Sequence, residues 1–372
     1  MTFLILLRNF AHRKGQLSEM TDKLTHEATQ LLARLISIPR TSRNEKEAAD
    51  MLQDCMTGEY GLQVERTGNN LFATAPGLSS SRPTLLLNAH IDTVKPVSAW
   101  QRDPFSPQWE GDRLYGLGSN DDGASLVSLL QVFRRLSGEA LPYNLLFLAS
   151  AEEEVSGRDG MERMVGLLPH VDVALVGEPT GMQPAIAEKG LMVLDITAHG
   201  KAGHAARDEG DNAIYHALDD MQWFRTKEWE RVSPLLGKVK TTVTIVNSGT
   251  QHNVIPDQCT FTVDVRSNEL YSNQELFQLI CQEVKSEVKA RSFRLNSSSI
   301  STSHPIVQAL TAMGKKPFGS PTLSDQALMP FPSLKMGPGE SCRSHTADEY
   351  ILRSEIADAI STYTSLLQNL VL

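Results

Sequence analysis

Apolar residues recur at two spacings along the chain, and the spacing changes near its middle. Leucine and alanine return every three or four positions over 21–37 and 45–58, which predicts two amphipathic helices, the first capped by Thr21. Short strands are predicted at 62–66 and 70–75, and the run at 84–89 is apolar enough to be a strand buried on both faces. A helix at 122–137, a strand at 143–150, a helix at 158–167 and a strand at 172–177 follow. This alternation predicts a largely parallel sheet covered by helices.

The pattern shifts after Glu188. Leu191–His199 alternates polar and apolar residues as a strand does, and 211–229 is helical in spacing. Strands at 239–247 and 259–266, a helix at 272–290 and a closing strand at 292–296 complete a β-α-β-β-α-β order, the ferredoxin-like pattern. Helix-and-strand material returns from Ser303. The expected fold class is therefore α/β, with a discontinuous main domain over 20–187 and 297–372 and an inserted α+β domain over 188–296. Residues 1–19 read as an extension ahead of Met20. Phe3-Leu-Ile-Leu-Leu is too short to span a bilayer, and basic residues follow it instead of preceding it as in a secretory signal.

Composition narrows the partners. With 35 basic and 44 acidic residues the formal net charge is −9, and no basic stripe interrupts it, which argues against nucleic acid. A hydrophobic share of 41% and a charged share of 21% suit a soluble protein with no membrane partner. Cys55, Cys259, Cys281 and Cys342 are scattered without a paired spacing, so reduced thiols and a cytoplasmic location are expected.

Chemistry concentrates where the apolar strands end. His90 and Asp92 follow Thr84-Leu-Leu-Leu-Asn-Ala, and Glu152-Glu153-Glu154 follow Asn144-Leu-Leu-Phe-Leu-Ala-Ser-Ala. Glu178 follows Val173-Ala-Leu-Val-Gly, His345 follows Pro338-Gly-Glu-Ser-Cys-Arg-Ser, and Asp121 lies in Gly116-Leu-Gly-Ser-Asn-Asp. In open α/β sheets the crevice lies beyond the carboxyl ends of the strands, where distant residues can meet. Imidazole and carboxylate ligands without thiolate suit zinc, cobalt or manganese used in hydrolysis. Taken singly, an acidic run is usually a solvated face and a lone histidine is usually structural. The ordered set is what points to a metallohydrolase. No Gly-x-Ser-x-Gly supports a serine nucleophile instead.

On these motifs the chain resembles the M20 family of metallopeptidases and deacylases from about Thr21 to the C-terminus. His90-Ile-Asp-Thr-Val, Gly116-Leu-Gly-Ser-Asn-Asp, Ala151-Glu-Glu-Glu, Gly177-Glu-Pro-Thr and Gly337-Pro-Gly with His345 occur in the family's order. The resemblance implies two divalent metal ions, zinc first and cobalt as an alternative. Asp121 would bridge them, with His90 and Glu178 completing one site and Glu154 and His345 the other. Glu153 would be the general base and Asp92 the carboxylate that orients His90. It also implies a lid and dimerisation role for the inserted domain. There Gly200-Lys-Ala-Gly-His204 would supply His204 to a partner subunit's site, and Asn253 and Arg266 would touch substrate. Arg343, as a clamp for the substrate carboxylate, and Ser324 are further candidates for substrate contact. The implied reaction removes the acyl group from an N-acyl amino acid in a homodimer. Deacetylation of N2-acetyl-L-ornithine to L-ornithine and acetate, a step of arginine biosynthesis, comes first. N-acetylcitrulline and N-succinyl amino acids are alternative substrates, a dipeptidase or carboxypeptidase activity is a further alternative, and a non-catalytic metal-stabilised dimer is the rival of another class. In one place the chain departs from the pattern. Asp121 is followed by Asp-Gly-Ala-Ser, where many relatives carry a lysine.

Overall fold

Helix α1 (Thr2–Ile36) opens the chain in the computed structural model, which describes the backbone from Thr2 to Leu372 and the side chains from Glu19 onward. It buries Leu24, Ala28, Leu31, Leu32 and Leu35, a stripe at helical spacing. Thr21 lies inside this helix and so does not cap it; its carbonyl accepts the Thr25 hydroxyl at 2.7 Å. The extension expected over residues 1–19 falls almost wholly outside the described side chains. Helix α2 (Lys46–Asp54) stops short of residue 58, and the chain widens into a π-turn over Cys55–Glu59. Thr57 and Gly58 are poor helix formers, which accounts for the early end.

Strands β1 (Val64–Thr67) and β2 (Asn70–Thr74) form a hairpin whose turn uses Gly68 at φ 61°. Then come β3 (Thr84–His90), α3 (Ala124–Leu136), β4 (Asn144–Ser150), α4 (Met161–Val165), β5 (Val173–Val176) and β6 (Ala185–Glu188). Every residue of β3, β4 and β5 is buried, so both faces of these strands are covered. Helix α4 is shorter than the expected 158–167, with Gly160 before it and Gly166 after it.

The chain divides into two compact units, one of Met1–Ile186, Ile300–Phe318 and Ser324–Leu372, the other of Ala187–Ser299 and Gly319–Leu323. In the second unit β7 (Met192–His199) leads to a short ribbon in which β8 (Gly203–His204) pairs with β10 (Val254–Ile255). Around it lie α5 (Ala213–Thr226), β9 (Lys240–Ser248), β11 (Gln258–Arg266), α6 (Asn273–Glu283) and β12 (Glu287–Ala290). The antiparallel sheet has the order β9-β11-β7-β12, as a ferredoxin-like topology requires. The expected helix 272–290 ends early at Glu283, and the closing strand is Glu287–Ala290 instead of 292–296. Val284, with a β-branched side chain, already has extended geometry at ψ 133°. One sheet face carries Met192, Leu194, Ile196, Phe261, Val263 and Val265 into a core with Ala217, Phe224, Leu276 and Ile280 of the two helices. Asn212 and Ser272 cap those helices by accepting the amides of Ile214 and Glu275.

The chain returns to the first unit with α7 (Pro305–Ala312), β13 (Ser333–Lys335) and α8 (Arg353–Asn369). Strand β13 pairs in parallel with β5 and meets Ala185 of β6 antiparallel, giving the order β1-β2-β4-β3-β5-β13-β6. The four central strands β4, β3, β5 and β13 run parallel. Helix α3, buried along Leu126, Val127, Leu129, Leu130, Val132 and Phe133, lies among α1, α8 and the sheet. Leu86, Leu146, Leu148 and Ala174 pack with Met161 and Met164 of α4. Each such side chain stabilises the fold by about 1.5–3 kcal/mol when fully buried. The registers His90↔Ser150, Asn88↔Val176 and Lys335↔Val176 bring the carboxyl ends of the four parallel strands to one edge. Among the described residues no helix is long and apolar enough to cross a membrane.

Candidate metal centre

His90 is the last residue of β3 and is 2% exposed. Its Nδ1 lies 2.9 Å from the main-chain oxygen of Asp92. Donating there fixes the tautomer and leaves the Nε2 lone pair for a ligand. Nε2 faces Asp121 Oδ1 at 3.3 Å and Glu153 Oε2 at 3.9 Å. The Asp92 carboxylate stands 3.5 Å from Nδ1, so the main-chain oxygen of that residue makes the closer contact. The carboxylate chiefly secures the acidic turn after β4. It accepts the amides of Glu153 at 3.0 Å and Glu154 at 3.2 Å, and the Ser42 hydroxyl at 2.7 Å. Burial pushes the Asp92 pKa up, but the contacts with His90, Ser42 and the Glu153 amide outweigh it and hold the group below its ordinary value.

Asp121 sits in the turn Ser119–Gly123, entered through Gly118 at φ 73°. Glu349, fully buried, holds that turn from behind by accepting the amides of Gly118 (2.9 Å), Asn120 (2.8 Å) and Asp121 (2.9 Å). Burial, with a smaller contribution from the Asp121 charge, raises Glu349 to about 7 despite these bonds. His345, after the last parallel strand, approaches from the other side. Its Nε2 lies 2.9 Å from Glu154 Oε2 and 3.6 Å from Asp121 Oδ2, and the Glu154 hydrogen bond is the main cause of a pKa raised to about 8.

Two donor groups result. His90, Asp121 and Glu154 offer ligand atoms within 4.8 Å of one another, and so do His90, Glu153 and Glu178. Glu153 and Glu178 have pKa values raised well above the carboxylate range, first by burial and then by neighbouring carboxylates, against the pull of His90 on Glu153 and of Lys335 on Glu178. Glu154 Oε1 is buried with no hydrogen-bond partner. Crowded carboxylates, an orphaned carboxylate oxygen and imidazole lone pairs are what divalent cations satisfy, and the donor set fits them. His90 with Asp121 and Glu154, and His90 with Glu153 and Glu178, could hold ions, and His345 lies beside the first group.

The remaining candidates differ in their surroundings. Ser324 is buried and caps the turn Asp325–Leu328. Its neighbour Asp325 accepts the Ser150 hydroxyl at 2.6 Å. Arg343 is not available as a carboxylate clamp. Both its terminal nitrogens engage Glu355, at 2.7 and 3.0 Å, and its guanidinium lies 4.6 Å over the Tyr350 ring. In the second unit, Arg266 is bidentate to Asp264 at 2.9 and 3.1 Å. His204 lies on the β8–β10 ribbon, the exposed Asn253 directly precedes β10, and the Ala205 amide donates to the Asn253 carbonyl at 3.0 Å. The exposed His204 ring accepts the Ala206 amide on Nδ1 at 3.1 Å, so its proton sits on Nε2.

Sequence reasoning missed the supports. Arg40, Ser42, Glu45 and Glu349 hold the ligand loops, and Glu45 accepts the Glu152 amide at 3.2 Å. Their partners are mostly main-chain groups, which every residue has, so no spacing in the sequence marks them. The Asp348-Glu-Tyr stretch after His345 was the only visible signal.

Known proteins resemble the chain in sequence and in fold. A Staphylococcus aureus protein named "Probable succinyl-diaminopimelate desuccinylase" is 26% identical over 403 residues, covering 93% of this chain and 99% of its own. An acetylornithine deacetylase of Proteus mirabilis is 29% identical over 327 residues, covering 82% and 83%. In fold, a Bacillus subtilis dinuclear metal-binding peptidase of the M20 family matches with a TM-score of 0.71 at 17% identity, over 93% of this chain and 98% of that one. Residues 86–369 match the profile of Peptidase family M20/M25/M40, and the chain belongs to that family of metal-dependent hydrolases.

Proposed function

We propose that the chain is a cytoplasmic, homodimeric deacylase that hydrolyses an N-acyl amino acid with two zinc ions. N2-acetyl-L-ornithine is the first substrate to test, and N-acetylcitrulline and N-succinyl amino acids are close variants. The observation that carries this reading is the convergence of His90, Asp121, Glu154, Glu178 and His345 near a partly buried glutamate, Glu153. Relatives named as an acetylornithine deacetylase and a desuccinylase support the acyl-amino-acid class.

Divalent cations at these ligands would polarise the amide carbonyl and bring the pKa of water to about 7. Glu153 takes a proton from the attacking water as its oxygen bonds to the acyl carbon, and returns it to the amide nitrogen as the C–N bond breaks. Asp92 keeps the Glu153–Glu154 turn in register with His90. His204 of the partner subunit donates from Nε2 to the oxyanion. The Ala206 amide on Nδ1 supports that tautomer. Dimerisation through the second unit is supported by the edge strand β9, with Ile245 and Val246 about half exposed, and by the exposed Tyr215 and Leu218 of α5.

The test is a panel of N2-acetylornithine, N-acetylcitrulline, N-succinyl-diaminopimelate and dipeptides on protein of equal metal loading. Release of the free amine from acylated amino acids is expected. Cleavage of dipeptides alone would make the chain a dipeptidase, and no turnover with full metal loading would favour a binding protein.

A further inference from the structure

Among the described residues Arg40 is the largest fully buried side chain, 1% exposed, and it lies directly after Pro39, beyond the end of the first helix. Both of its hydrogen bonds go to main-chain carbonyls of the candidate metal centre. Nη1 donates to the oxygen of Ile91, the residue between His90 and Asp92. Nη2 donates at 3.0 Å to the oxygen of Gly118, which turns the chain toward Asp121. The Thr93 amide donates to the carbonyl of Arg40 at 3.0 Å, and the Ser42 amide donates back to Thr93 at 3.2 Å. One short segment therefore grips the loop of His90 along its main chain and reaches the loop of Asp121 with the same guanidinium.

The surroundings leave room for this group and little else. A Cβ on Gly118 would lie 2.4 Å from Nη2, and one on Gly123 would lie 3.2 Å from it and 2.3 Å from the Gly118 oxygen. A buried charge without a carboxylate in contact is costly, and a neutral amide could hold two carbonyls. The charge is balanced at longer range by Glu349, Asp92, Asp122 and Asp121, which oppose the lowering of the Arg40 pKa by burial.

We infer that Arg40 is a positioning residue for the metal centre: its guanidinium sets the spacing between His90 and Asp121 by joining the carbonyls of Ile91 and Gly118. This rests on the proposed ligand roles of His90 and Asp121. Removing such a support typically costs about 10–100-fold in metal affinity.

The experiment compares the full-length native protein with Arg40→Met, Arg40→Lys and a core control, Leu52→Ala. Cobalt binding is measured by calorimetry, the visible absorption of the cobalt-loaded protein is recorded, and each variant is melted. Arg40→Met is expected to bind cobalt about 10–100-fold more weakly with altered band intensities. Arg40→Lys, which keeps the charge but cannot span both carbonyls equally, should recover only part of the affinity. Leu52→Ala should melt earlier and keep native affinity and spectrum. Native cobalt affinity and spectrum in Arg40→Met overturn the inference, and so does an equal loss in Leu52→Ala. If Arg40→Met does not fold, Arg40→Lys decides: weaker binding at a native melting curve supports the inference, and native binding overturns it. A native protein that takes up no cobalt refutes the ligand assignment as well.

Discussion

In the unit built on the parallel sheet, His90, Asp92 and Glu349 are buried and tied to amides, hydroxyls or carbonyls of neighbouring loops. In the second unit exposed His204 lies on a ribbon of two residue pairs, and exposed Asn253 directly precedes its second strand. A charge taken out of water must be met by hydrogen bonds or opposite charge, so the first arrangement demands many supports. An exposed imidazole needs few, and a single amide suffices to set its tautomer. The first unit brings a candidate metal-ligand cluster together within its own loops, whereas the role proposed for His204 draws on a partner subunit.

Separating a proton carrier from the ligands is the sharpest way to probe this contrast. Glu153→Gln should lower kcat by about 10²–10⁴-fold while cobalt binding stays near native. Loss of cobalt binding in that variant would make Glu153 a ligand, in keeping with its place in the His90–Glu153–Glu178 group. The second unit is tested by His204→Ala, with an expected loss of about 2.7–4 kcal/mol of barrier stabilisation and unchanged metal affinity. Mixing the two inactive variants should then restore part of the activity, because a mixed dimer joins one intact Glu153 to one intact His204. A mixture that stays inactive would confine His204 to its own subunit or to no role.

Metal removal should act on stability as well as on rate. At a free cation concentration about 100 times the dissociation constant, binding stabilises the fold by about 2.7 kcal/mol, readable as a higher melting temperature. An unmoved melting curve would mean that the crowded carboxylates are satisfied without a cation. The smallest effect is expected from Val246→Asp on the exposed edge strand β9, which should leave monomer stability within about 0.5 kcal/mol. Sedimentation should nevertheless show the dimer weakened, and an unchanged dimer would move the interface elsewhere.

The α/β class was legible because the apolar runs at 84–89 and 143–150 are too continuous for a one-sided sheet, and the alternation after Glu188 is too regular for a helix. His90, Glu153, Glu154 and Glu178 could be named because each ends or follows an apolar run, and parallel strands place such ends together; Asp121 and His345 follow Gly-rich or polar stretches and stood out through the order of the motifs. Element ends were less legible. Thr21 resembles a cap but lies inside a helix, and residues 287–290 resemble the end of a helix but form a strand. Tertiary contacts at those points override local propensity.

Residue type and the order of the motifs marked which side chains are candidates for metal binding and proton transfer, since only a few kinds can do either. The folded chain decided what each of them faces. It turned Arg343 toward Glu355, passed the closest contact to His90 Nδ1 from the Asp92 carboxylate to its main-chain oxygen, and sent Arg40 to the carbonyls of Ile91 and Gly118. Those choices depend on directions and on main-chain groups, which are the same in every residue and so leave no trace in the order of the letters.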